Sequence, residues 1–286
     1  MPWKLYVDSR KRVKGARGGT DSDFAIALPY PIAVKGKCYI DVVLLTNNFY
    51  TIRAGDCDRI YLDENVAGTK RVAVIAPGQY TVLQLKDALV VALNSGKAIS
   101  GQYRVTYKED INRFVLDIVT PAATDVFRIW QEEHLKENTA DWTSVVSLAP
   151  NDLRSANRAC GFLNGTFLIS IYSAPNASTL GNAPDAPDVQ AYRQLFIRSN
   201  LASGSSQSLG VNGEPDIIRR VVTGNTPQQG LIHDVHATPL DCVKITGAPE
   251  YLQLWFQLID VDGRVVNTHG HPVSFSVIFQ DINEEY

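Results

Sequence analysis

Four of the five histidines come in two close pairs, and they are the first place to look for chemistry. His269-x-His271 would put two imidazoles on one face of an extended segment, and His233 with His236 forms the second pair. Such imidazoles, completed by a carboxylate, are the donor set of a cupin-like metal site. Pro272 follows directly, no Glu stands three or four places after His271, and no spacing ties the two pairs together, so turn and surface histidines account for them. Asp260-x-Asp262-Gly263 opens like a calcium loop, yet Val265 and His271 occupy the positions that need Gly and a bidentate Glu. An ordinary hairpin with Asp262-Gly263 at its tip explains those residues. The sequence has no G-x-S-x-G or Walker A motif, and Gly15-x-x-Gly18-Gly19 lacks the following Lys that phosphate cradling requires. Acidic neighbours such as Glu109-Asp110, Glu132-Glu133 and Glu284-Glu285 fit solvated faces and tails. The expectation is a protein that is not an enzyme and needs no cofactor and no metal.

Cys38, Cys57, Cys160 and Cys242 are scattered without a C-x-x-C pair, which reads as buried free thiols in a reducing compartment. Nowhere do ~18 apolar residues run together, so no membrane span is expected, and residues 1–19 lack the apolar stretch of a signal peptide. The composition, 45% hydrophobic and 20% charged over 286 residues, is that of a globular chain, and its formal charge of -3 gives no global case for nucleic-acid or membrane binding. Met1 is the only methionine, so the core must be filled by Val, Ile, Leu and aromatic side chains of defined shape.

Period-two alternation dominates the elements that must position any site. Leu252, Leu254, Phe256 and Leu258 alternate with Gln253, Trp255 and Gln257, and Val273, Phe275, Val277 and Phe279 alternate with Ser274 and Ser276. Further short runs at Cys38 to Leu45, Tyr50 to Ile52, Ile60 to Leu62, Phe167 to Tyr172, Leu195 to Ile197, Ile217 to Val222 and Cys242 to Ile245 predict a sandwich of short strands. One segment departs from this pattern. Thr81-Val82-Leu83-Gln84 is a capping box between staple residues Tyr80 and Leu85, and Leu85, Ala88, Leu89, Ala92 and Leu93 line one helical face before Ser95-Gly96. Strands flank it at Arg71 to Ile75, Tyr103 to Tyr107 and Phe114 to Ile118, and a shorter helix is predicted over Asp152 to Cys160.

The expected fold class is therefore all-β with a small α/β insertion, on a single β-sandwich. Residues 1–20 form a basic N-terminal arm, 21–64 and 155–286 the sandwich, and 65–154 the inserted domain with its connecting segment. Lys4, Arg10, Lys11, Arg12, Lys14 and Arg17 stand against Asp8 alone in the arm, which suits docking on an acidic partner surface or a nucleic-acid backbone, with ordering only on docking. No aromatic platform for bases accompanies it, so sequence-specific nucleic-acid reading is not expected. Long loops are predicted at 173–190, 202–215 and 224–230.

Nine segments, in order and spread over nearly the whole chain, carry a resemblance. They are Tyr6-Val7-Asp8-Ser9-Arg10, Ser22-Asp23-Phe24, Phe49-Tyr50-Thr51-Ile52, Pro77-Gly78-Gln79-Tyr80-Thr81, Gly161-Phe162, Ile197-Arg198-Ser199-Asn200-Leu201, Asp216-Ile217-Ile218, Leu258-Ile259-Asp260 with Gly263, and Ser274-Phe275-Ser276. Together they resemble the penton-type minor capsid proteins of virophages and polinton-like viruses. The resemblance implies a single jelly roll with an outward insertion, a homopentamer at the fivefold vertices of an icosahedral virion, and synthesis in the cytoplasm or nucleus of a host cell. It also implies a neighbouring major capsid protein as partner, and it leaves host-receptor attachment through the long loops open. Trp3, Tyr6, Arg10, Lys11, Arg12, Lys14 and Arg17 then become an assembly arm, with Trp3 and Tyr6 as anchors. A carbohydrate- or receptor-binding jelly roll that uses Trp130 and Trp142 as exposed aromatics is the alternative, and a cupin-like metal enzyme at His269 and His271 is the third reading.

Overall fold

The computed structural model describes residues 3–14, 18–34, 36–65, 68–122, 125–138, 142, 155–163, 167–174, 177–178, 181–202, 213, 215–224, 229–235, 242–245 and 250–280. The chain divides into two compact units, Met1–Phe49 with Tyr192–Tyr286, and Tyr50–Ala191. In the first unit lie β1 (Trp3–Asp8), β2 (Asp23–Ala33) and β3 (Gly36–Thr46). The second holds β4 (Arg59–Glu64), β5 (Thr69–Val74), α1 (Val82–Asn94), β6 (Gln102–Lys108), β7 (Arg113–Val119) and β8 (Val126–Trp130), then α2 (Glu132–Glu137), α3 (Asn157–Cys160), β9 (Phe167–Ala174), β10 (Ala177–Ser178) and β11 (Gly181–Asn182). The chain then completes the first unit with β12 (Gln194–Ser199), β13 (Ile217–Val222), β14 (Leu231–Asp234), β15 (Val243–Ile245), β16 (Glu250–Ile259) and β17 (Ser274–Gln280).

The first unit has two antiparallel sheets, ordered β1-β17-β3-β14, with β15 also on β3, and β13-β12-β16-β2. Set aside β15, and eight strands remain: the first, eighth, third and sixth form one sheet, and the fifth, fourth, seventh and second form the other. That order is a jelly roll. Alternation drives it: Phe24, Ile26, Leu254, Phe256 and Leu258 of one sheet and Ile40, Val43, Phe275 and Val277 of the other are all buried. Phe256 meets Phe275 edge-on across the two layers, at 4.8 Å between ring centroids, and Phe24 lies 5.9 Å from Phe256. Burying each such ring is worth about 1.5–3 kcal/mol.

The inserted unit is wider than the 65–154 expected, because β4 pairs with β5 and β8 and belongs with them. Its sheets are ordered β10-β9-β8-β4-β5 and β11-β7-β6. Helix α1 starts at the predicted box: Gln84 N donates to Thr81 Oγ1, and Thr81 N donates to Gln84 Oε1. Its buried face, Leu85, Leu89, Ala92 and Leu93, packs with Leu62, Tyr103, Phe114 and Phe127 of both sheets. The helix ends against a buried polar cluster. Arg71 donates to the carbonyls of Leu93 and Ser95 and to the fully buried Glu64, which also accepts from the Tyr103 hydroxyl at 2.6 Å. A cation at the helix C-terminus satisfies carbonyls that lack intrahelical partners. Burial and the Glu64 carboxylate push the Tyr103 phenol far up.

Several elements differ from the sequence reading. Residues 3–8 of the basic arm are a strand in six-residue register with β17. The eleven-residue β2 lies at a sheet edge, and Pro29 and Pro31 fall between Ala27 and Ile32, where its register with β16 shifts, so the ladder needs neither missing N–H. Ile52 makes a lone bridge to Gly78 in place of a strand. The helix predicted over 152–160 is described from Asn157, residues 152–154 lying outside the described residues, and it ends as expected at Gly161. There φ is 76°, and a Cβ would stand 2.3 Å from the Asp185 carbonyl. Most of the 202–215 loop and residues 225–228 also lie outside the described residues.

Candidate functional site

The residues expected to form an arm converge on the outer face and edge of the first sheet. In β1, Val7 points into the core, whereas Tyr6 on the opposite face is 78% exposed. Trp3 stacks on Phe279 with centroids 4.0 Å apart and planes 10° from parallel. Lys4 donates to Asp41 at 2.9 Å and stands 5.4 Å from the Tyr6 ring centroid. Asp8 closes the strand and caps the 3-10 turn Ser9–Lys11 by accepting from Arg10 N at 2.9 Å. The Arg10 guanidinium grips both oxygens of the same carboxylate, and Ser274 Oγ donates to it at 3.2 Å. The Arg10 hydrogen bonds hold the Asp8 carboxyl at about 2, below its ordinary 3.8. Ser9 is buried and ties the turn to β17 through Val273, its hydroxyl donating to Asp21 at 2.6 Å. Arg12 also donates to Asp21, at 2.8 Å.

Half of these six basic side chains are therefore paired within the fold. Lys4, Arg10 and Arg12 each have a carboxylate partner, Lys11 and Lys14 make no ion pair among the described residues, and Arg17 lies outside them. A freely extended arm over residues 3–14 is corrected on this point. The sequence shows the charges but not the Asp21 and Asp41 partners, which come from distant turns and strands.

A groove runs along this face. Between Phe275 and Val277 the β17–β3 register shifts, so that two β3 residues, Asp41 and Val42, oppose Ser276. Such a bulge re-aims side chains and bends the strand. The small Ser274 and Ser276 on the middle strand lie between Tyr6 on β1 and Val42 and Leu44 on β3, leaving an open groove of about 350 Å³. Lys4 and Asp8 also line it. Alternation made the two serines visible in the sequence, but the bulge and the flanking ridges were not.

The other sequence candidates take structural positions. Asp260 Oδ1 accepts from Asp262 N and Arg264 N, both at 2.9 Å, and Gly263 has φ 76°, which is a tight turn. His233 is on β14, His269 and His271 lie in the turn before β17, and His236 is outside the described residues. Desolvation and the neighbouring His271 lower the pKa of His269. Among the described residues no three His, Cys, Asp or Glu side chains group to hold a metal ion. All four cysteines are free; Cys38 and Cys160 are buried, while Cys57 and Cys242 are half-buried, against the expectation that all are buried. Burial pushes the Cys38 thiol up to about 12.

Trp130 and Trp142, expected as exposed aromatics for glycans, are 5% and 2% exposed. They meet edge to face at 5.3 Å, Tyr61 packs edge-on against Trp142, and the Lys70 ammonium lies 4.9 and 5.1 Å from the two indole centroids. These rings hold the inserted unit together and cannot present a sugar-binding platform. The glycan reading loses its residues, because the second face of the β4–β8 sheet needs cover from large rings.

The class defined by the strand order is an all-β jelly roll that carries an inserted unit between its third and fourth strands. No family model matches the chain, and no curated protein matches it. Among solved structures, the crystal structure of the SeMet-labelled mavirus penton protein aligns over 98% of this chain and 99% of that chain, with a TM-score of 0.49 and 9% identity. No helix among the described residues is long and apolar enough to cross a membrane.

Proposed function

We propose that this chain is a structural capsid protein that forms the homopentameric penton at the fivefold vertices of an icosahedral virion. The observation that carries the reading is the two-sheet order β1-β17-β3-β14 over β13-β12-β16-β2, with a compact unit inserted between β3 and β12. Jelly rolls also serve lectins and cupins, so the strand order alone does not choose among them. The ordered segments that resemble penton-type minor capsid proteins favour the penton, and they are spread over both units, from β1 and β2 through the residues just before α1 and just after α3 to β17. Closing strands into two stacked sheets also suits a shell component, which functions through shape and interfaces.

In this reading the jelly roll joins its neighbours and the major capsid protein, while the inserted unit, residues 50–191 or its inner part 65–154, faces outward. The surface built on Trp3, Tyr6, Arg10, Lys11, Arg12, Lys14 and Arg17 is an assembly contact, and host attachment falls to segments 173–190 and 202–215. The test is the mass of the purified full chain by light scattering, alone and mixed with the major capsid protein of the same virus. A fivefold multiple of 31.5 kDa, or fivefold rings in negative stain, supports the reading. A monomer that also fails to enter shells assembled with the major capsid protein overturns it.

A further inference from the structure

We propose that the groove on the outer face of the first sheet receives segment 281–286 of a second copy of this chain. The proposal rests on the assembly reading above and names the partner of its candidate surface.

Three observations converge. The groove is open, about 350 Å³, and two strand spacings wide, ~10 Å between the ridges of Tyr6 and of Val42 with Leu44. That width fits one extended chain. Its floor is made of small residues, and Ser276 makes no hydrogen bond among the described residues, leaving its hydroxyl able to donate. Second, the end of the groove at Asp8 leads into a basic turn in which Lys11 and Lys14 make no ion pair among the described residues. Third, the residues that follow β17 are Asp281-Ile282-Asn283-Glu284-Glu285-Tyr286, with three carboxylates, no cation and two large apolar side chains. In an extended segment Ile282, Glu284 and Tyr286 point to one side. Facing the groove, they set apolar side chains against Val42, Leu44 and Tyr6 and a carboxylate over the serine floor, and Glu285 on the other side turns to the basic turn.

Reach decides between the chain's own segment and that of a neighbour. Strand β17 is antiparallel to β1, with Phe279 opposite Trp3 and Ser274 opposite Asp8. The chain therefore leaves β17 at the far end from Lys11. The length of β17 puts those ends ~20 Å apart, six extended residues span at most ~20 Å, and a reversal of direction uses at least two of them. The segment of the same copy stops short of Lys11 and Lys14, whereas that of a neighbour is not bound by this limit. Segment and groove are different surfaces, so copies can pass the segment head to tail, the heterologous arrangement that forms rings when the rotation closes.

The experiment compares the full chain with a chain ending at Gln280 by sedimentation velocity over a concentration series, and measures binding of fluorescent Asp281–Tyr286 peptide to the shortened chain by anisotropy. Expected results are that truncation weakens self-association and that the peptide binds the shortened chain. Lys11→Glu with Lys14→Glu, or Glu285→Lys, should weaken association about tenfold, and a chain carrying all three reversals should recover part of it. Recovery is the readout that a folding defect cannot give. Equal association of the full and shortened chains overturns the proposal while leaving the vertex reading intact, and so does peptide binding without any effect of truncation, which marks docking within one copy. Absence of peptide binding also overturns it. If neither chain associates, alone or in shells with the major capsid protein, both readings fall.

Discussion

Arg219 on β13 and Asp234 on β14 join the free edges of the two jelly-roll sheets, and the pair can be removed in steps. Arg219 Nη2 donates to Asp234 Oδ1 at 2.8 Å, Asp234 Oδ2 accepts from Val222 N at 3.2 Å, and the side chains are 4% and 5% exposed. A charge so deeply buried cannot be rehydrated when its partner is lost. Arg219→Met keeps an apolar stem of similar length but takes the guanidinium away from the buried Asp234 carboxylate, at a cost of about 3–5 kcal/mol. The double variant Arg219→Met with Asp234→Leu leaves no buried charge and costs about 1 kcal/mol, chiefly the lost acceptor of Val222 N. Hydrogen exchange of peptides covering Ile217–Val222 and Leu231–Asp234 reads this unit by itself, so the inserted unit does not blur the result. A loss of about 3 kcal/mol corresponds to exchange more than a hundredfold faster in the single variant, against about fivefold in the double. A single variant that exchanges less than about fivefold faster, or a double variant as damaged as the sum of the two singles, would refute the argument that charge burial dominates this contact.

Two further outcomes follow from named contacts. Thr81→Ala removes both the side-chain cap and half of the capping box, and should destabilise α1 by about 1 kcal/mol, seen as faster exchange of the first-turn amides, with Thr81→Ser close to the unchanged protein. Asp8 has a folded pKa of about 2 against 3.8 unfolded, so its contribution is present above about pH 4 and is lost as pH falls toward 2. Water around the exposed Arg10 guanidinium reduces that contribution to about 1 kcal/mol, and protection of β1 amides should fall across this window in the unchanged protein but stay flat in Asp8→Asn.

Local signals in the sequence were dependable where one segment carries its own reason to fold. Thr81 and Gln84 cap α1 because both partners lie within four residues, and the alternations at 252–258 and 273–279 become β16 and β17 because period two leaves one face for a core. The signals failed where the reason lies elsewhere in the chain. Residues 3–8 looked like a basic arm, since nothing nearby reveals that Val7 enters the core or that Asp41 and Asp21 neutralise Lys4 and Arg12. β2 was hidden by Pro29 and Pro31, which are harmless because the strand is at an edge and its register with β16 shifts between Ala27 and Ile32. Trp130 and Trp142 looked available for a ligand, whereas packing turned both inward.

By itself the sequence determined an all-β chain with one well-capped helix, free cysteines and a segment resemblance to penton-type capsid proteins, because propensity, capping and alternation are properties of short stretches. Only the tertiary structure decided the jelly-roll order, the extent of the inserted unit, the pairing of Lys4, Arg10 and Arg12 and the groove between Tyr6 and Leu44. Each of these depends on which distant strands become neighbours, and the groove depends also on a single extra residue in β3 that shifts the register beside it.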